Sequence, residues 1–306
     1  MTQNTADTFL ICPFSGRNLR YLTDAELVVV NSRINGGELF FYPGVQVKES
    51  LKRALVTEHQ TYIYPVDDNI IYLKKETAIV TKNRTKNYLK RVSDTVISSF
   101  ESIYSFNRKT DSEQVNKLPS VPSMPSDAIA SLKQYITKSQ NVFVSMCSNN
   151  ADDVHNLVFN THFAEYVHAD FDLERLKALK SELKKDTTLV LCDPVALPFA
   201  QESIDTLVSF DLINEYEKDV EKEAAGEIKR VVCSRGASIV MFNDSLPLNA
   251  ERQLKKDELV KKAKVLMKPW KKVSSCEIYF HPISATQDSD MSDTFVGKTS
   301  LKRQLF

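Results

Sequence analysis

Four short segments of this 306-residue chain gather residue types that can hold or activate a small ligand. Cys147-Ser148-Asn149-Asn150 follows an apolar run at 141–146, and Asp170-Phe171-Asp172 follows one at 166–169. Asp193-Pro194-Val195 follows the run at 188–192, and Asp211-Leu212-Ile213-Asn214-Glu215 follows the run at 204–210. In an open α/β sheet, ligands bind outside the carboxyl ends of the strands, near the reversal of strand order. An acid ending the second strand stands where a carboxylate accepts hydrogen bonds from ribose hydroxyls. An acid ending the third can accept from an adenine amino group. The same residues also suit plain structure. Asp is common in turns, Asn214 can cap a helix, and Glu215 there would be favoured by the helix dipole.

The elements that must position these segments alternate in type. After residue 126, short apolar strands (141–146, 166–169, 188–192, 204–210, 238–242) alternate with helical patterns (131–137, 151–158, 173–183, 220–232, 251–266). That alternation means βαβ units and a parallel sheet with helices on both faces. Two last strands, 275–281 and 294–299, have no long helix between them and are expected to pair as an antiparallel edge hairpin. Residues 107–126 hold three Pro and five hydroxyl residues and read as a linker. Before it, 8–12, 26–30, 38–42 and 61–64 read as strands, 47–56 as a short helix, and 88–104 as an amphipathic helix. The expected organisation is a small α+β domain over 1–80, a helix and linker over 81–127, and an α/β domain over 128–306.

Composition excludes several function classes. Forty basic residues balance forty acidic ones, which disfavours a generic nucleic-acid binder. No apolar run approaches the ~18 residues of a membrane span, and MTQNTADTFL lacks the features of a signal peptide. Five scattered Cys without a CxxC favour neither disulfides nor zinc, so a cytoplasmic setting is expected. The five His show no metal-ligand spacing, and no metal site is expected. The chain has only seven Gly, none of them between Gly44 and Gly226. A Walker A loop or a GxGxxG fingerprint is therefore excluded from that stretch. The Lys-rich segment 255–272, with Trp270, reads as a solvated helix face because Asp257 and Glu258 interrupt it.

Residues ~128–300 resemble the class I S-adenosylmethionine-dependent methyltransferases of the type 11 subgroup. The stretch DPVALPFAQESIDTLVSFDLINEY, residues 193–216, is similar to that family's acid, Leu-Pro-Phe, polar loop and apolar strand. EIKRVVCSRGASIVMF, residues 227–242, resembles its Glu-x-x-Arg helix and fifth strand, with Ser234-Arg235-Gly236 in place of Lys-Pro-Gly. The resemblance implies a Rossmann-like fold and S-adenosylmethionine as cofactor. It puts Asp170 on the ribose, with Asp172 as second choice, and Phe171 beside it. Asp193, Pro194 and Val195 would flank the adenine, with Phe210 ending strand four. Asn214 and Glu215 would orient or deprotonate an O, N or C acceptor. The departure lies in the first loop. The family's Asp/Glu-x-Gly-x-Gly-x-Gly is SMCSNNA here, so Ser145, Cys147, Ser148 and Asn149 stand where an acid and glycines would line the cofactor.

A second resemblance covers the start of the chain. Residues 11–19, ICPFSGRNL, and 62–70, YIYPVDDNI, are similar to the small zinc-ribbon-derived activator of tRNA and protein methyltransferases. Of the zinc ligands only Cys12 remains, with Ser15 at the second position, so no zinc is expected. The resemblance implies that this segment docks intramolecularly on the methyltransferase-like part. The acceptor implied is RNA, protein or a small molecule. The rival expectation is a catalytically inactive binding or scaffold protein that kept the fold and lost the cofactor, and the glycine-free loop favours it.

Overall fold

Thr23 and Glu26 decide where the first helix starts. The Thr23 side chain accepts the Glu26 amide and Glu26 accepts the Thr23 amide, a capping box at the head of α1, Asp24–Asn35. The sequence-based strand at 26–30 is thus a helix. The run LVVV, rich in β-branched valine, suggests a strand, but the cap at the head of the helix prevails. Val30 and Ile34 face the core while Val28 and Val29 stay exposed. The helix expected at 47–56 is also corrected. Its last residues enter the strand Arg53–Thr57, whose Leu55 and Val56 pair with the next strand.

The computed structural model describes residues 9–81, 126–133, 136, 141–148, 150–183, 186–210, 218–244 and 277–282. The strands are β1 (Leu19–Tyr21), β2 (Phe40–Phe41), β3 (Arg53–Thr57), β4 (Tyr62–Asp67), β5 (Ile70–Tyr72), β6 (Ile79–Val80), β7 (Val142–Met146), β8 (Glu165–Asp170), β9 (Thr187–Leu191), β10 (Ile204–Ser209), β11 (Val232–Asp244) and β12 (Glu277–Pro282). The later helices are α2 (Ser126–Lys133), α3 (Ala151–Val158), α4 (Leu173–Lys180) and α5 (Lys218–Val231). The helix expected at 88–104, the linker, the 251–266 helix and the strand at 294–299 lie outside the described residues.

All of these strands belong to one sheet, ordered β1-β3-β4-β5-β9-β8-β7-β10-β11-β12, with β6 on β4 and β2 on β6. From β7 the chain steps outward to β8 and β9, then returns to β10 and β11 on the other side. This is a Rossmann-like α/β arrangement, and its order reverses at β7. β12 runs parallel to β11. The N-terminal strands pair antiparallel, but β5 joins β9 in parallel register, Ile70 opposite Leu189 and Tyr72 opposite Leu191.

Alternation along the strands sorts side chains to two faces. On β7, Phe143 enters the cluster formed with α2, α3 and α4 through Leu132, Leu157 and Leu176. Its neighbour Val144 enters the opposite cluster, with Ile228 and Val231 of α5. Each face is therefore covered, which is why these strands read as continuous apolar runs.

The stretch most specific in sequence proves to be a clamp. Glu227 accepts the Leu197 amide at 2.9 Å, and Arg230 donates to the carbonyls of Leu197 and Phe199, both at 2.8 Å. From the other side the N-terminal segment lies antiparallel to the loop. The Ile11 amide donates to Pro198 and the Ala200 amide to Phe9, and the Phe9 and Phe199 rings stack. Phe199 is fully buried as a result. Gly236 is fixed by close approach, since a Cβ there would sit 2.7 Å from the Asp205 carbonyl.

Candidate functional site

Strands β7, β8, β9 and β10 end side by side, and backbone pairing runs one step past their ends. The Cys147 amide donates to Ala169, the Cys192 amide to Asp170, and the Phe210 amide to Met146. This edge brings together Cys147, Ser148, Asp170, Phe171, Asp193, Pro194, Val195 and Phe210, eight of the residues singled out from sequence. Asn149, Asn214 and Glu215 lie outside the described residues.

Cys147 leaves β7 with φ of 56°, in the left-handed region. It stands where the loop of the family it resembles has its first glycine, so the backbone takes a turn that glycine would make without strain, at a cost of about 1–2 kcal/mol for a side-chain-bearing residue. Ser148 then donates from its hydroxyl to the Asn150 carbonyl at 2.8 Å and accepts the Asn150 amide. The Asn150 side chain accepts the Asp152 amide at 2.9 Å and caps α3. Local side-chain turns thus shape a loop that glycines shape in the family this chain resembles.

Ser145 is not on this edge. It sits within β7, buried, with its hydroxyl 2.8 Å from His168 Nδ1 on β8. His168 is completely buried, its Nε2 has no hydrogen-bond partner among the described residues, and burial holds its pKa down to about 3, so the imidazole is neutral. No local pattern signals this pairing, because it arises from strand register, with Ser145 opposite His168.

The two strand-end acids differ in their engagement. Asp170 is fully buried. Arg175 Nε donates to its Oδ2 at 2.7 Å and Nη2 to its Oδ1 at 3.0 Å, and the Asp172 amide adds a third bond to Oδ1. Burial pushes the Asp170 carboxyl up to about 6, against the pull of the Arg175 guanidinium. Asp172 is exposed and caps α4 through the Glu174 and Arg175 amides. That cap starts the helix so that the Arg175 side chain points back over the preceding turn, onto Asp170 and the Phe171 ring. Asp193 is half-buried, and its Oδ1 accepts only the Val195 amide at 3.1 Å. Its Oδ2 has no partner among the described residues.

Sequence reasoning missed two cations at this edge. Arg175 could have been suspected, as a base five residues beyond a strand-end acid. Lys74, from the loop after β5, donates to the Phe171 carbonyl at 2.6 Å. Only the β5–β9 pairing brings it there. At the opposite end of the chain's first motif, the Cys12 thiol lies 3.1 Å from the Tyr64 hydroxyl, buried. No group of three His, Cys, Asp or Glu that could hold a metal occurs among the described residues. No helix there is long and apolar enough to cross a membrane.

Residues 152–240 match the family model of the methyltransferase domain, beginning just past the Cys147 loop. That span supports a methyltransferase domain. Among solved structures, a candidate S-adenosyl-L-methionine-dependent methyltransferase of Methanococcus maripaludis is similar at 16% identity, over 49% of this chain and 77% of that one, with a TM-score of 0.39. The complex of the Haloferax volcanii Trm112 methyltransferase activator with a candidate methyltransferase is similar at 18% identity, over 37% and 50%, with a TM-score of 0.33. The XF2673 protein of Xylella fastidiosa is 28% identical over 24% of this chain and 76% of its own, with a TM-score of 0.22. No curated protein sequence matches the chain.

Proposed function

We propose that this chain is an S-adenosylmethionine-dependent methyltransferase with a divergent cofactor loop. The observation that carries the reading is the left-handed turn at Cys147, at the point where the strand order reverses. Left-handed turns at side-chain-bearing residues cluster at ligand clamps, and this one opens onto the crevice where such sheets bind ligands. The Oδ2 of Asp193, which has no partner among the described residues, fits an adenine amino group, with Val195 and Pro194 beside it. Asn214 and Glu215 come after β10 and are the candidates for orienting the acceptor. S-adenosylmethionine supplies an already activated methyl group, so the protein's own residues need only bind, align and exclude water. The N-terminal segment is proposed to act as a built-in activator-type cover, holding the 197–200 loop and the β9 edge. The acceptor class is RNA, protein or a small molecule.

The Asp170–Arg175 pair favours a second reading, a non-catalytic binding protein, since the carboxylate that would hold ribose already has three hydrogen bonds. Thermal unfolding of the full chain with S-adenosylmethionine and S-adenosylhomocysteine, backed by calorimetry, separates the two. Ligand at about 100 times its Kd adds ~2.7 kcal/mol to stability, a rise of several degrees in Tm. No shift with ligand in large excess sinks the enzyme reading.

A further inference from the structure

We propose that Lys74, contributed by the N-terminal segment, is a binding residue of the nucleoside site and donates to the ribose hydroxyl oxygens. The inference rests on the enzyme reading and names who holds the sugar. The Leu73 amide donates to the Leu191 carbonyl at 2.8 Å, so the chain is still paired with β9 one residue before Lys74. The Lys74 ammonium nevertheless reaches Phe171, beyond the end of β8. Adjacent strands are ~4.8 Å apart, so β5 and β8 are separated by roughly twice that, with β9 between them. The aliphatic stem therefore crosses the carboxyl end of β9, where Cys192 and Asp193 stand. The ammonium is near enough to pull the Cys192 thiol down, against the burial that raises it strongly.

An ammonium has three N–H donors. One goes to the Phe171 carbonyl, the single hydrogen-bond partner of the Lys74 ammonium among the described residues, and two remain. A nucleoside seated between the ends of β8 and β9 meets an Asp170 whose oxygens are occupied by Arg175 and the Asp172 amide. The hydroxyl oxygens of its ribose then face a donor rather than an acceptor. The usual polarity of sugar recognition is inverted, and the residue responsible lies outside the methyltransferase domain.

The test is calorimetry on the full chain with S-adenosylhomocysteine and its 2′,3′-dideoxy analogue. Wild type is expected to prefer the hydroxylated ligand by roughly tenfold, the weight of one charge-assisted hydrogen bond. Lys74→Met should lose that preference while keeping the affinity for the dideoxy analogue, and Lys74→Arg should keep part of it. If Lys74 merely latches the two parts together, Lys74→Met lowers Tm and weakens both ligands alike, which overturns the proposal. An unchanged preference in Lys74→Met also overturns it while sparing the enzyme reading. Wild type that binds neither ligand removes both. Should Lys74→Met fail to fold, Lys74→Gln carries the same comparison.

Discussion

Asp170 and Asp193 stand at the ends of neighbouring strands, yet the fold puts them to opposite uses. Asp170 is sealed under Arg175, with every hydrogen bond internal. Asp193 shapes its own turn with one oxygen and leaves the other unengaged among the described residues. The difference comes from the residues just C-terminal to each acid. After Asp170, Asp172 caps a helix whose opening residues return a guanidinium to the strand end. After Asp193, Pro194 and the clamped 197–199 loop bring only apolar groups and backbone. A strand-end acid is therefore a site residue or a structural one according to the next five residues, not according to its place in the sheet.

The largest expected effect breaks the sealed side. Asp170→Asn turns one carboxylate oxygen into an amide donor that faces the Arg175 N–H groups and leaves a buried donor without its acceptor, a loss of about 1–3 kcal/mol in stability. Combining it with Arg175→Met removes both charges and should restore most of the loss, because the site is then uncharged and largely apolar. Chemical denaturation of the two variants checks this. Additive losses in the double variant would show that the pair does not act as a unit.

A smaller effect sharpens the same contrast through pH. The Asp170 carboxyl rises from 3.8 to about 6 in the folded chain. Between those values the native state keeps a proton that the unfolded chain has lost. The stability contributed by this group is full below 3.8 and falls as pH rises through about 6. His168 works in reverse, moving from 6.5 down to about 3. Its contribution is full above 6.5 and is lost as pH falls toward 3, because only the unfolded chain takes up the proton. The two slopes oppose across the shared interval, so wild-type stability should be nearly level there. In His168→Gln, denaturation midpoints should decline as pH rises from 3.8 to about 6. A level profile in that variant would show that Asp170 does not retain its proton.

How much of this was legible in the sequence depends on the range of the interactions. The five parallel strands and the helices between them are set by local period, and they stand close to where the sequence pattern places them. The helix at 24–35 departs from its expected strand because Leu27, Val28, Val29 and Val30 have a strand's composition, although Thr23 and Glu26, three apart, already carry the cap. The short strand at 70–72 has little local signal and is defined by its partner β9, more than a hundred residues away. The site divides in the same manner. Which residues reach the carboxyl edge was readable from strand ends. That Ser145 turns inward to His168, that Arg175 seals Asp170, and that Lys74 arrives from another part of the chain all depend on pairings between segments.

The smallest expected effect on stability belongs to Asp193→Asn, and that is its value. The change keeps an oxygen to accept the Val195 amide, so the turn survives and the cost should stay within ~0.5 kcal/mol. It replaces one carboxylate oxygen with an amide group that donates, which faces a ligand's amino group with the wrong polarity. Binding of S-adenosylhomocysteine should therefore weaken by roughly tenfold while Tm without ligand hardly moves. Asp170→Asn should show the reverse weighting, with a large loss of stability and a ligand affinity that changes only as far as the fold is disturbed. If the two variants lose ligand affinity equally, Asp170 is released from Arg175 when ligand binds, and the ion pair is a closed state of the site. If Asp193→Asn binds as tightly as wild type, the unengaged oxygen is solvent-facing surface and the adenine lies elsewhere along the edge.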